Sequence, residues 1–237
     1  MITLYGMGSP NVVKIYIALE ELGLPYTVQP IDVFSGKQFD AEFLKMNPVA
    51  KVPVIVDSEG PGGKPFTLFE SGAILLYLAE KTGRLLSADM AAKYEAIEWM
   101  MVQMTLVGPM FGQHVHFIRF APPGNDYAKS RYATQAHRAC EAVEARLAAS
   151  PWLSGAEYGI ADIATYPWSR NVPALLGADA AAKYPNTMRW VGTINERPAV
   201  KRALAAVDEV RARTTQFDKA QPPALDKLFG RGEFAAA

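Results

Sequence analysis

The sequence predicts an α/β domain followed by an all-helical domain, on two grounds. Over the first eighty or so residues short apolar runs alternate with helical patterns, as in an α/β unit. From about Asp89 the helical patterns run long and strand signals vanish. A length of 237 residues allows one large domain or two small ones, either with a core that needs no staples, so size alone does not choose. The expected boundaries are 1–83 for the first domain, 89–213 for the helical one and 214–237 for a C-terminal tail, with 83–88 as linker.

Element by element, "ITLYG" (2–6) reads as a strand, and "NVVKIYIALEELG" (11–23) as a helix with Val12, Ile15, Leu19 and Leu22 on one face and Gly23 as its stop. "YTVQPID" (26–32) is a second strand, which Pro30 assigns to an edge or to the strand's end. The polar stretch 33–51 contains "FDAEFLKM", a helix of about two turns. "VPVIVD" (52–57) gives the strongest strand signal. It pairs across the glycine-rich turn 58–64 with "PFTLF" (65–69) as an antiparallel hairpin. "ESGAILLYLAEKTG" (70–83) closes the domain as a helix with Ile74, Leu75, Leu78 and Ala79 on its apolar face. Helices follow at 89–118, 126–148, 160–176, 186–196 and 198–212; in the tail, Leu225, Leu228 and Phe229 give a short apolar face able to dock.

Composition narrows the function. Lys plus Arg equals Asp plus Glu at 24 each, so no basic excess points to nucleic acid or an anionic membrane. Residues 1–80 hold five Lys and Arg against nine Asp and Glu and the rest 19 against 15, too small an asymmetry to name a partner. No apolar run reaches the roughly 18 to 20 residues that span a bilayer, and the N-terminus reads as uncleaved, so the expected compartment is the cytoplasm. Cys140 is the only cysteine and sits among alanines and aliphatics at helical spacing, which reads as a buried, inert thiol. Any redox work must then borrow sulfur from a ligand. His114 and His116 point to different helix faces with no third donor nearby, so no metal site is expected.

Three segments look chemically loaded. In "GSPN" (8–11), Ser9 and Asn11 stand where a helix start can favour an anion, although a plain cap explains the fragment as well. In "KVPVIV" (51–56), Pro53 cannot donate to a ladder, which can leave the preceding residue's backbone to a peptide-like ligand if the bond is cis. In "FESGAILLYL" (69–78), Ser71 can bind a carboxylate and Glu70 an ammonium, or the pair can be routine capping.

Taken in order, "SPNVVKIYIALEELGLPY", "GKQFDAEFLKMNPVAKVPVIVD" and "LFESGAILLYLAEKTGRLL", followed by "GPMFGQHVHF", "SPWLSG" and "IADIATYPW", resemble the cytosolic glutathione transferase family over nearly the whole chain. The likeness is strongest to its bacterial Nu-class and yeast Ure2-like disulfide-bond oxidoreductase branch. It implies a thioredoxin-like N-terminal domain in a glutathione transferase fold, a cis Val52–Pro53 bond, a homodimer, and glutathione as cosubstrate in the cleft facing the helical domain. The backbone of Val52 is implied at its cysteinyl part, Glu70 and Ser71 at its γ-glutamyl end, and Gln38, Lys51 and Pro53 as further glutathione-binding residues. Arg131 in "SRYATQ" resembles the Nu-class arginine that reaches over from the helical domain, a position able to act between subunits.

In this branch the thiol-activating place usually holds a Thr followed two residues later by Asn; here it reads Ser9 and Asn11. The resemblance thus assigns the Ser9 hydroxyl and the Asn11 amide N–H to the glutathione thiolate, while Tyr5 lies inside the strand. Lowering a thiol pKa from about 8.5 by two units needs only roughly 2.7 kcal/mol of preference for the anion. Disulfide reduction is the first activity implied, with conjugation to a small electrophile and peroxide reduction as alternatives. A non-enzymatic regulatory module of the same fold is the alternative of another class, disfavoured by the intact ligand-site residues. Met110, Phe111 and His114 offer an apolar substrate pocket, though the same stripe reads equally as core. Finally, "GIAD" places Gly159 where a Ser or Thr cap usually starts helix six, so Gly159→Ser is expected to stabilise by roughly a few tenths of a kcal/mol.

Overall fold

Strand β1 (Ile2–Gly6) pairs in parallel with β2 (Tyr26–Pro30) and antiparallel with β3 (Val54–Asp57), which pairs antiparallel with β4 (Phe66–Phe69). The order is β2-β1-β3-β4 in this computed structural model, which describes residues 1–236. Helix α1 (Pro10–Leu22) makes the crossover that a parallel pair needs. Its stop is Gly23 at φ 66°, a left-handed conformation that lets Leu24 N–H donate back to the Leu19 carbonyl. Pro30 closes the edge strand β2, so its missing N–H breaks no ladder. Two 3₁₀ turns (Val33–Ser35 and Lys37–Phe39), helix α2 (Ala41–Met46) and, after β4, helix α3 (Ser71–Thr82) complete this part.

Every residue of α1 from Val12 to Leu19 is buried, a lysine included, rather than one face alone. Helix α11 (Pro198–Arg211) is one reason, because it packs along α1 and is fixed there by an Arg202–Glu20 ion pair, while Arg211 Nη2 donates to the Gly8 carbonyl just before α1 at 3.3 Å. By packing, residues 1–74 and 198–236 form one compact unit and 75–197 another. The tail belongs to the first. Helix α12 (Pro222–Phe229) packs on the 33–35 turn, Phe217 meets Phe34 edge-on and Lys227 lies over the Phe39 ring. Asp32 latches the tail by accepting from Thr215 N at 3.0 Å and Thr215 Oγ1 at 2.7 Å.

In the other unit the helices are α4 (Met90–Val102), α5 (Gly108–Val115), α6 (Asp126–Ala149), α7 (Ile160–Ser169), α8 (Val172–Leu176), α9 (Asp179–Lys183) and α10 (Pro185–Asn195). The expected helix 89–118 is interrupted by π-helical turns at Gln103–Val107 and His116–Phe120. Pro109 has no N–H for the carbonyl four residues back, and a wider turn relieves that conflict. The second π turn closes with Ala121 N–H on the His116 carbonyl, just before Pro122 and Pro123. Likewise 160–176 splits into α7 and α8, with Pro173 at the start of the latter. Among the described residues no helix is long and apolar enough to cross a membrane.

The "SPWLSG" and "GIAD" segments hold this unit together. Asp162 is fully buried and accepts from Leu153 N, Ser154 N, Gly159 N and Trp190 Nε1 at 2.8–3.2 Å. The hydroxyl absent at position 159 comes from another residue, since Ser154 Oγ accepts from Ala161 N in the first turn of α7. Gly159 is glycine for space: a Cβ there would lie 2.7 Å from the Leu85 carbonyl oxygen and 2.8 Å from Ser154 Oγ. The expected stabilisation by Gly159→Ser is therefore overturned, because backbone cannot yield as a flexible side chain does.

Gly159→Ser should instead destabilise by about 1–3 kcal/mol through overpacking, read as a lowered Tm. For the tail, burial pushes the Asp32 carboxyl up, but hydrogen bonds from Thr215 and Ser35 outweigh it and hold it below its ordinary value. Such a latch is complete above the ordinary aspartate range and is lost as pH falls through the depressed folded value. At neutral pH, Asp32→Ala should open the chain to trypsin at Arg213 and Lys219, sites at which the native protein should resist cleavage.

Candidate functional site

Register decides where the loops meet. Tyr5 of β1 lies opposite Val54 of β3, and Val54 lies opposite Phe69 of β4. The loop leaving β1, the loop entering β3 and the turn leaving β4 therefore emerge at one end of the sheet. The loop leaving β2 joins them, because Gly6 pairs with Pro30. Ser9, Val52, Glu70 with Ser71, and Gln38 stand on these four connections.

Ser9 is the N-cap of α1, and its carbonyl accepts from Val12 N and Val13 N at 3.0 Å. Its side chain makes no cap hydrogen bond, and among the described residues the hydroxyl has no other partner. This weakens the plain-cap reading: the helix starts on the Ser9 backbone and Pro10, leaving the hydroxyl to something outside the chain. Asn11 is half-buried at the second helical position, beside the positive end of α1.

The Val52–Pro53 bond is cis. Val52 precedes the first paired residue, Val54, and among the described residues neither of its backbone groups enters a hydrogen bond within the chain. An extended peptide can pair there. Asn47, missed in the sequence reading, shapes this loop: buried, it donates from Nδ2 to the Lys51 carbonyl at 2.7 Å and accepts from Val49 N at 3.0 Å. The turn also holds Ala50 at φ 56°, left-handed and unusual for a residue with a Cβ. The Asn-Pro dipeptide at 47–48 was the available signal. Lys51 itself is exposed.

Glu70 is exposed and left-handed at φ 71°, and its carbonyl accepts from Ile74 N at 2.9 Å as α3 begins. Strain of this kind costs on the order of 1–3 kcal/mol and concentrates at ligand clamps. The adjacent Ser71 is buried, and its Oγ accepts from Lys14 Nζ at 3.2 Å. Lys14 was also missed, since a lysine in an amphipathic helix reads as its wet face. It is fully buried, and burial pushes its amine down to about 7 against the opposing pull of Glu70. Gln38 is buried too, and neither amide atom has a hydrogen-bond partner among the described residues.

Together these connections present a hydroxyl at a helix start, an unpaired stretch of backbone just before β3, an exposed carboxylate, and a serine at a second helix start. That set suits a short zwitterionic peptide with an anionic centre near Ser9. The remaining expected residues lie on the helical unit. Arg131 is exposed on α6. Phe111 is fully buried against Trp168, and buried His114 meets the Leu175 carbonyl with Nε2 at 3.0 Å. Those two side chains form core rather than pocket wall; Met110 keeps partial exposure. Cys140 is buried in α6, and burial pushes its thiol up to about 12, so it holds no reactive thiolate.

Residues 1–80 match the family "Glutathione S-transferase, N-terminal domain" and residues 99–198 match "Glutathione S-transferase, C-terminal domain". The chain is 44% identical over 205 residues to the disulfide-bond oxidoreductase YfcG of Escherichia coli K12, covering 86% of this chain and 94% of that one. Among solved structures it is similar to a Burkholderia graminis glutathione transferase with two glutathione molecules bound per subunit: TM-score 0.80, 44% identity, 86% of this chain and 88% of that chain. A Pseudomonas putida glutathione transferase with one glutathione disulfide bound per subunit aligns at TM-score 0.81 and 40% identity, over 86% of this chain and 90% of that chain.

Proposed function

The chain belongs to the glutathione S-transferase family, and from that premise we propose that it binds glutathione at the sheet end and uses the tripeptide's thiolate to reduce disulfide bonds. The observation that carries this reading is the Ser9 hydroxyl, placed at the start of α1 yet unused by the helix it caps. Glutathione offers a complement to each feature. Its backbone pairs with Val52, beside Lys51 and Pro53, its γ-glutamyl ammonium meets Glu70, and its α-carboxylate meets Ser71. The side chain of Gln38 gains a partner it lacks among the described residues, which offsets about 1–3 kcal/mol of unmet polar burial. Arg131 is a further proposed contact.

The chemistry needs no protein sulfur. Ser9 O–H and the Asn11 amide N–H donate to the glutathione sulfur and favour its anion. That thiolate attacks one sulfur of a substrate disulfide, forming a mixed disulfide and expelling the other sulfur as a thiolate, which takes up a proton. A second glutathione thiolate then attacks the mixed disulfide, releasing glutathione disulfide and the second substrate thiol. The same activated sulfur can add to a small electrophile or reduce a peroxide. We further propose a homodimer that works in the cytoplasm.

Steady-state rates with 2-hydroxyethyl disulfide, 1-chloro-2,4-dinitrobenzene and cumene hydroperoxide, each with glutathione, test the ranking: the disulfide should be turned over best. Asn11→Ala should keep most glutathione affinity but lose tenfold or more in kcat, on the order of one lost hydrogen bond to a charged group. Glu70→Ala should instead raise the glutathione KM. Cys140→Ser should leave disulfide reduction intact; its loss would mean that the protein's own thiol takes part.

A further inference from the structure

Beneath the β4–α3 turn lies a charge that the reaction above leaves without a task. Lys14 sits in the middle of α1 with no exposed surface, and its Nζ donates to Ser71 Oγ at 3.2 Å. Burying an ammonium is costly without compensation. A buried lysine with a purely structural role can often be replaced at little cost by a well-packed apolar residue. This one points at one of the two side chains proposed to receive the ligand's charged end.

We propose that Lys14 is a positioning residue for the ligand's α-carboxylate: by donating to Ser71 Oγ from below, it turns the serine's own O–H toward the incoming anion and supplies the counter-charge behind it. The argument rests on the glutathione reading and on what a hydroxyl can do. A serine oxygen has one proton and two lone pairs. While the ammonium occupies a lone pair, the serine proton must be directed elsewhere, and a carboxylate arriving at the start of α3 is the acceptor that gains most from it. A neutral amine carries a lone pair of its own and can accept the Ser71 proton, which removes that donor from the ligand.

The charged surroundings fix the sign. Glu70 is the charged group that acts on the Lys14 amine, and burial lowers that amine to about 7. On α11, which packs along α1, Arg202 is paired with Glu20 and Arg211 with Asp208, whereas Glu209 and Arg213 act on Tyr16. Near pH 7.5 part of the free protein therefore holds Lys14 neutral. A carboxylate bound at Ser71 raises the amine's pKa, so binding draws a proton onto Lys14, and affinity for the ligand falls as pH rises above about 7.

S-methylglutathione separates this proton from the one that ionising a bound thiol would release. Calorimetry of its binding at pH 7.5, in buffers of different ionisation enthalpy, should give a fractional proton uptake. An analogue whose γ-glutamyl unit lacks the α-carboxylate should bind more weakly and take up none. Lys14→Met should lose the uptake and weaken S-methylglutathione about ten- to a hundred-fold while barely changing the analogue. Wild-type binding without proton uptake would overturn the proposal, even if the variant failed to fold. So would equal weakening of ligand and analogue by Lys14→Met, since that is what a packing role predicts. No binding of S-methylglutathione by the native protein would remove the glutathione reading and this inference with it.

Discussion

Val54 faces Tyr5 on one side and Phe69 on the other, and the site depends on that double pairing. It brings the ends of β1 and β4 level with the start of β3, so a hydroxyl, an open backbone and a carboxylate share one edge although about sixty residues separate the first from the last in the chain. A slip of one residue would move Val52 by about 3.3 Å against both neighbours and point alternate side chains to the wrong face. Val54 and Ile55 are both fully buried, which resists any such slip.

On this frame the local conformations are unfavourable by themselves. Ala50 and Glu70 are both left-handed without being glycine, and Gln38 and Lys14 bury polar groups that prefer water. Such features persist where the surroundings over-determine them, and all four border the same end of the sheet. The stabilising half of the account lies elsewhere in the fold: the sheet, the α1–α11 packing, and the Asp162 cluster, whose four donors satisfy one buried carboxylate. The chain spends stability at the ligand end and recovers it in its cores.

The sequence disclosed what periodicity and turn chemistry can express. The four strands, the antiparallel hairpin, the Gly23 stop and the edge place of Pro30 all follow from local pattern. What stayed hidden depends on neighbours distant in sequence. Lys14 reads as solvent-facing until α11 is known to cover its helix. Gly159 reads as a poor cap until Leu85 is known to press against it and Ser154 to replace the missing hydroxyl. The π turn before α5 hinges on how one helix absorbs Pro109, and Phe111 and His114 could be assigned to core only once Trp168 and Leu175 were seen beside them. Among the proposed site residues, Ser9, Val52, Glu70 and Ser71 could be nominated from sequence because their segments form an ordered set, whereas Asn47 acts only by holding the loop before Pro53.

The central claim is that a fixed polar cleft makes a borrowed sulfhydryl easier to ionise. The most direct measurement is an ultraviolet titration of the thiolate absorbance of glutathione bound to the protein. The account predicts a midpoint about two units below the ordinary thiol value of about 8.5. A bound thiol that ionises as it does in free solution would contradict it.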